Sequence, residues 1–357
     1  MKTNKLVIIL TVMMLLASCG GRKYKYFTRI NPDGTIYKKI IATGDSVDVA
    51  KCEVFPFNVE DGWKITYDTE IEKKEDKTDT INLVIAERTF NNLEEMQKCF
   101  SHQFVDSVEN DHVLFENPVK FRWFYNYHTY RVTYQRLFPL NYYPVENYLT
   151  LPEQKIYWGG DDEQFMLPDS LKPEEKLKKY ADKLDDKFDL YIEENSLAEY
   201  FRLLDGYTDS LNLPRVSDAT KNKVYELNKL SDKGIVDDSL NYIVDSLEER
   251  AIASVANNDS VFAPLEDMYK NGDWVSASED EYNYKVEVPG LLYQTNGTLM
   301  DDHTVRWYFT REWRTYKDIV MEVHYRTTNR WAFILSGILS VLILFILFYK
   351  KKNENRI

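Results

Sequence analysis

Cysteine, histidine and carboxylate side chains are where catalysis or metal binding would have to reside, so their spacing comes first. Three cysteines stand at 19, 52 and 99, and five histidines at 102, 112, 128, 303 and 324. No Cys-x-x-Cys or His-Glu-x-x-His spacing gathers them for a tetrahedral metal. There is no Gly-x-Ser-x-Gly elbow, no phosphate-cradling Gly-rich loop and no calcium loop of alternating Asp around a central Gly. Adjacent carboxylates are abundant, among them Asp185-Asp186, Glu193-Glu194 and Asp237-Asp238. Such pairs could act as general acid and base, but on helices this acidic they read more simply as solvated faces. Trp63, Trp123, Trp274, Trp307 and Trp313 could line a carbohydrate or peptide groove, although core packing accounts for most of them more cheaply. His128 and His324 fall in strands and read as surface or partly satisfied residues. The residues imply no cofactor and no metal, and they lean toward a protein that is not an enzyme.

Cys19 is different because of what precedes it. Lys2 and Lys5 lead into an apolar run from Leu6 to Leu16 broken only by Thr11. That run is shorter than the ~20 residues needed to span a bilayer, which makes residues 1–18 a secretory signal. Leu16-Ala17-Ser18-Cys19-Gly20 then resembles the bacterial lipobox, in which the cysteine is acylated and becomes the new N-terminus. At the other end, Trp331 to Tyr349 carries no charge and is followed at once by Lys350-Lys351-Lys352. Nineteen such residues reach about 28 Å as a helix, enough for a hydrocarbon core. The lysines place the tail, residues 350–357, in the cytoplasm. A helical span argues for the inner membrane, since outer-membrane proteins normally span as barrels. Residues 20–330 are then periplasmic, and eight cytoplasmic residues are too few for a signalling domain.

The formal charge of −13 hides a steeper balance. The signal holds +2 and the tail +3, leaving −18 between them. Such a surface does not favour nucleic acid or anionic lipid headgroups. With Cys19 acylated, Cys52 and Cys99 remain as an even pair in an oxidising compartment, and a disulfide between them would contribute roughly 4 kcal/mol.

The exported part changes character twice. In residues 19–140, Tyr24–Ile30 and Thr35–Ile41 flank Asn31-Pro32-Asp33-Gly34, a hairpin signal. Gly62–Tyr67 and Ile81–Ile85 read as strands. Asn91 or Asn92 is placed to cap a short helix through Phe100, and Phe121–Leu137 reads as one long strand or a hairpin. In residues 141–275 acidic helical patterns take over: Leu177, Ala181, Leu184, Phe188 and Tyr191 form an apolar stripe after Pro173. A second helix runs from Leu197 to a stop at Gly206, a third from Asp218 to Gly234, and a fourth follows Asp238. Strands resume over 276–328, at Tyr282–Val288, Leu291–Gln294, Thr304–Phe309 and Ile319–Tyr325. The expectation is α+β: an antiparallel β-sheet domain near the membrane, an inserted acidic helical bundle facing the periplasm, and one C-terminal transmembrane helix over 331–349.

The order of these parts resembles the LppM-like family of bacterial envelope lipoproteins. The shared features are the lipobox, the hairpin around Asn31-Pro32-Asp33-Gly34, Pro289-Gly290 followed by Thr295-Asn296-Gly297, and Thr304-Val305-Arg306-Trp307 leading toward a terminal helix with a basic tail. The resemblance covers residues 20–71 and 282–357. It implies a small sheet domain at the membrane surface, of a kind that binds a ligand, and brings no catalytic residues. A second pattern, Asp, then Ser or Thr, then an aliphatic residue, Met or Thr, resembles the O-glycosylation acceptor of Bacteroidota envelope proteins and points to that origin. It occurs at Ser46, Thr80, Ser107, Ser170, Ser210, Ser239, Ser246 and Ser260. Asp-Ser before an apolar residue is also a helix cap or turn.

These features together describe a non-enzymatic binding or scaffold protein of the envelope, held by lipid at both ends, with a protein partner for the insertion. The rival is an envelope hydrolase acting on glycan, peptidoglycan or lipid through paired carboxylates. If the acceptor serines are modified, intact mass from the native host exceeds that of the lipidated polypeptide; equality of the two masses removes the glycosylation reading.

Overall fold

The computed structural model describes residues 23–44, 62–74, 77–102, 113–158, 174–230, 239–256, 262–271 and 281–354. The chain divides into two compact units, the first comprising Met1–Tyr134, Tyr282–Tyr308 and Ile319–Ile357, the second Gln135–Glu281 and Phe309–Asp318.

The first unit is built from strands. β1 (Lys23–Ile30) and β2 (Ile36–Gly44) form the anticipated hairpin, with Ile30 opposite Ile36. Gly34, at φ +90°, takes the left-handed turn position that a side chain would resist. β3 (Lys64–Lys74) and β4 (Lys77–Phe90) make a second antiparallel arm, and β4 pairs with β2. α1 (Leu93–His102) follows, with Asn92 Oδ1 accepting the Glu95 N–H at 2.9 Å as its cap. β5 (Val113–Glu116), β6 (Val119–Phe121) and β7 (Tyr125–Tyr134) come next, so the aromatic stretch after 119 is a hairpin. After the second unit the chain returns through β8 (Glu281–Glu287), β9 (Leu291–Thr295), β10 (Thr298–Leu299), β11 (Thr304–Thr310) and β12 (Ile319–Thr328).

These strands form two sheets instead of two halves of one. The first has the order β10-β11-β8-β1-β2-β4-β3, the second β5-β7-β12-β9 with β6 beside β7. Period-2 alternation explains the division: Ile36, Ile40 and Ala42 on one sheet and Tyr130, Val132, Met321, Val323 and Tyr325 on the other are all buried. Each sheet has an apolar face that must be covered, and Phe100 of α1 packs into the same core against Phe90 and Phe115. Tyr134 and Tyr284 meet across the gap with ring centroids 5.6 Å apart.

Lys38 interrupts that apolar face. It shares the inward side of β2 with Ile36 and Ile40 and is fully buried. Its Nζ donates to Thr28 Oγ1 at 2.9 Å and lies 4.9 to 5.7 Å from the ring centroids of Tyr284, Tyr26, Phe115 and Phe100. No carboxylate among the described residues pairs with it. Burial pushes the amine down to about 7, while the four ring faces favour the charged form.

The second unit is helical: α2 (Leu151–Trp158), α3 (Glu174–Ser210), α4 (Asp218–Leu230), α5 (Ser239–Glu248), α6 (Phe262–Asn271) and the short α7 (Arg311–Tyr316). One cluster packs Leu197, Tyr200, Phe201 and Leu204 of α3 against Val224, Leu240 and Val244; a second joins Phe138, Leu149, Trp158, Leu184 and Tyr191, with Tyr316 against it. The two helices expected on either side of residues 192–196 are one helix of 37 residues, and Gly206 does not end it. Asn195 Nδ2 and Ser196 Oγ donate back to the carbonyls of Tyr191 and Ile192, so polar residues that read as a break are buried and satisfied within the helix. Leu204 and Thr208, buried on either side of Gly206, hold the last turns in place.

α8 (Arg330–Glu354) follows β12 after a single residue, Asn329. Its first 20 residues, Arg330–Tyr349, have a mean hydropathy of 2.7 and are almost wholly exposed, so the helix is long and apolar enough to cross a membrane.

The buried amine sets a testable stability. Folded Lys38 releases its proton near pH 7, whereas a free lysine holds it to about 10.5. Between those values the unfolded chain binds more protons, so stability rises with pH. Lys38→Met keeps the length and removes the charge. It is expected to raise stability by ~1–4 kcal/mol at pH 6, with the gain shrinking as pH climbs from 7 toward 10. Denaturation at both pH values measures it. A variant no more stable than the parent at pH 6 means that Thr28 and the rings fully offset the buried charge.

Candidate functional site

Four pieces of the first unit converge on a cleft of about 960 Å³ beside the start of α8. The β1–β2 turn supplies Asn31, Pro32 and Gly34; the β8–β9 turn supplies Pro289 and Gly290; the start of β7 supplies Tyr125, Asn126 and His128; and the end of β12 runs through Tyr325 and Arg326 into Asn329 and Arg330. The β1–β2 turn is fastened locally, with the Asn31 N–H donating to the Thr35 carbonyl at 2.8 Å. Asp33, the carboxylate of that turn, does not line the cleft. It accepts from Thr35 Oγ1 and the Thr35 N–H, which hold its carboxyl below the usual range. At the β8–β9 turn the backbones run so close that a Cβ on Gly290 would lie 2.2 Å from the Arg326 carbonyl oxygen, so this wall admits glycine alone.

The lining is cationic and amide-rich. Arg326 and Arg330 both face it; among the described residues neither has an ion-pair partner, and no Asp or Glu lines the cleft. The Arg326 guanidinium lies over the Tyr125 ring, 4.6 Å from the centroid, a support that orients the group without neutralising it. His128 stacks on Tyr325, centroids 4.5 Å apart and planes within 6°, and its Nε2 is 3.0 Å from Thr327 Oγ1. Burial lowers its pKa, so the ring is held toward the neutral form. His128 Nδ1 and Asn117 Oδ1 are buried without a hydrogen-bond partner among the described residues. Two arginines, a neutral imidazole and several amides can bind an anion by charge-assisted hydrogen bonds. No pair of carboxylates is gathered among the described lining residues.

A second constellation lies on the outer face of the second sheet. Thr129 Oγ1 is 3.0 Å from His324 Nδ1, and His324 Nε2 is 2.5 Å from Glu322 Oε1. Glu322 also accepts from Arg131, which reaches Glu116 as well. Burial alone would raise the Glu322 carboxyl, but the donors from Arg131 and His324 outweigh it and hold it low. The order hydroxyl, imidazole, carboxylate has the connectivity of a nucleophile triad. The residues are nevertheless direct cross-strand partners, His324 opposite Thr129 and Glu322 opposite Arg131. β12 here is paired on both edges, with β7 and β9, so its N–H groups are committed to ladders and unavailable as oxyanion donors. The group reads as a polar ladder that stitches the sheet.

The residues expected to carry chemistry are scattered. Cys19 and Cys52 lie outside the described residues, as do Ser46, Ser107, Ser170, Ser260, Trp274 and the Asp237-Asp238 pair. Cys99 sits half-buried on α1, with Arg88 Nη1 3.5 Å from its sulfur. Thr80 stands opposite Ile71 in the β3–β4 arm. Ser210 ends α3 and donates to the Tyr207 carbonyl, Ser239 begins α5, and Ser246 is exposed on it. The aspartates before two of these are already employed: Asp209 pairs with Arg215 at 2.6 Å, and Asp245 accepts the N–H groups of Ile252, Ala253 and Ser254. Adjacent carboxylates on α3 diverge, as neighbours on a helix must: Glu193 takes Asn228, whereas Glu194 takes Tyr148 and Lys229. Trp63 is core, edge-on to Phe90 and Phe100, and Trp307 donates to Asn296. None of the described tryptophans lines the cleft. Among the described residues no group of three His, Cys, Asp or Glu is placed to hold a metal.

Sequence reading passed over Arg326 and Arg330. A signal was available: two arginines four apart, just before an apolar run whose far end already carries three lysines.

No protein-family model matches the chain, and no curated protein matches it in sequence. Among solved structures it is similar to the folded domain of LppM from Mycobacterium tuberculosis, determined by NMR, with 9% identity over 87% of this chain and 92% of that one. The TM-score is 0.25, a likeness too slight to bear on fold or activity, and nothing in the comparisons supports a Bacteroidota origin.

Proposed function

We propose that this is a non-enzymatic envelope protein that binds an anionic group, such as a phosphate or carboxylate, in the cleft at the foot of α8. The observation that carries this is the pair Arg326 and Arg330, without ion-pair partners among the described residues, in a lining free of carboxylates on a chain of net charge −13. Arg326 is half-buried, and a half-buried cation left unpaired costs stability unless an anion completes it, while the exposed Arg330 adds positive charge at the rim. The rest of the placement is part of the same reading: Cys19 acylated, α8 crossing the inner membrane, the lysines after Tyr349 in the cytoplasm, and both units in the periplasm. It is supported by the length and apolarity of α8 and by the lipobox-like sequence around Cys19. The hydrolase reading finds less support, since the cleft gathers no carboxylates and the acidic pairs of α3 turn to different neighbours.

Calorimetric titration of the full chain, in nanodiscs of neutral lipid, with short-chain phosphatidylglycerol is the direct test. Phosphatidylcholine of the same chain length serves as the zwitterionic control. The anionic lipid is expected to bind, with affinity falling as salt rises. Arg326→Gln should weaken it about tenfold or more, the equivalent of one charge-assisted contact at about 1.5–3 kcal/mol. Equal binding of both lipids, or an Arg326→Gln variant that binds like the parent, would sink the proposal.

A further inference from the structure

We infer that the β6–β7 turn is a second membrane contact, a loop whose aromatic side chains enter the headgroup and acyl boundary beside α8. The inference rests on the reading that α8 enters the membrane, and it adds a surface which that reading alone does not assign.

The turn runs Phe121-Arg122-Trp123-Phe124 and exposes its apolar side chains. Phe121 is 59% exposed, Trp123 44% and Phe124 38%. In a soluble setting three neighbouring aromatics left this open would be a costly patch. Here each is seated against α8. Phe121 stacks on Trp331 with planes within 5°, Trp123 meets Trp331 edge-on at 5.2 Å, and Phe124 lies 4.6 Å from Phe333. Together they form a collar around one side of the helix, of the amphipathic aromatic kind that settles at a membrane interface.

Depth follows from geometry. Trp123 Nε1 donates to Ser336 Oγ at 2.9 Å. Ser336 is five residues beyond Trp331, about 7.5 Å further along the helix at 1.5 Å per residue. If Trp331 lies at the boundary of the hydrocarbon, the indole of Trp123 lies on its inner side. The turn cannot remain in water while the helix beside it inserts, because the two are tied by hydrogen bonds.

The backbone of the turn is prepared for that environment. A loop entering a membrane interface must satisfy its own polar groups. Asn329 does most of this. Its Nδ2 donates to the carbonyls of Arg122 and Trp123 at 2.8 and 3.2 Å, and its N–H donates to the Phe124 carbonyl at 2.9 Å. The Arg122 N–H closes the turn on the Tyr125 carbonyl at 2.8 Å. Three successive carbonyls are thus capped by one residue at the sheet–helix junction, and the indole N–H is capped by Ser336. Lys120 and Arg122 alternate with the aromatics. Their long stems can follow the apolar surface while the charges reach lipid phosphates.

Fluorine NMR of the full chain, labelled with 5-fluorotryptophan in phosphatidylcholine nanodiscs, reads the position of each indole. Trp123→Phe and Trp331→Phe assign the two resonances. Lipid carrying a spin label high on the acyl chain should broaden Trp123 and Trp331 several-fold more than Trp307. A soluble gadolinium chelate should do the reverse, and buried Trp63 should respond to neither. If Trp331 responds to the lipid label but Trp123 follows Trp307, the turn is outside the membrane and the inference is wrong while the helical anchor stands. If Trp331 also responds only to the soluble probe, the anchor itself falls and takes the turn with it.

Discussion

Asn329 is the residue on which the arrangement at the foot of the sheet unit depends. A strand ends at Thr328 and a helix begins at Arg330, and the junction must satisfy the backbone groups that neither element's own ladder takes up. Asn329 opens α8, its carbonyl accepting the Ala332 N–H, and its other groups fasten the β6–β7 turn. Asn126 Nδ2 donates to its side-chain oxygen at 2.9 Å, which fixes the amide orientation and brings the start of β7 into register with the end of β12. The wall of the cleft and the aromatic collar are therefore two sides of one hydrogen-bonded joint.

Electrostatics gives the cleft its character. The chain is acidic, yet the cleft in the first unit presents arginine and amide. Inside the same unit a lysine sits among aromatic rings. The two cationic features differ in kind. Lys38 is sealed among Thr28 and the π faces, burial disfavours its charge, and no ligand can reach it. Arg326 is braced on Tyr125 with its outer edge toward the cleft. A cation buried in a core narrows what the core can tolerate, whereas one braced at a surface is a recognition element.

What was legible in the sequence follows from which signals are local. Asn31-Pro32-Asp33-Gly34 specifies its own turn, Asn92 caps its own helix, and the apolar run after Trp331 announces itself by length. Alternation in β2 also marked Lys38 as inward, since it shares parity with Ile36 and Ile40, but a lysine beside a second lysine reads as surface. The single helix 174–210 was hidden because Asn195 and Ser196 satisfy themselves within it, a tertiary outcome that propensity does not report. The division into two sheets depends on non-local pairing, β8 with β1 and β12 with β7, which no short window contains. The cleft was least legible of all. Its residues come from four separated segments, and most are turn formers whose types speak of backbone geometry and not of ligands.

The one-residue junction between β12 and α8 has a mechanical consequence. With no flexible linker, and with the β6–β7 turn braced against the helix, the sheet unit has no swivel about α8. Any tilt of α8 becomes a tilt of the sheet, and any sideways load on β12 passes into the helix without slack. A protein built in this way keeps the mouth of its cleft at a constant height and heading relative to the axis of α8.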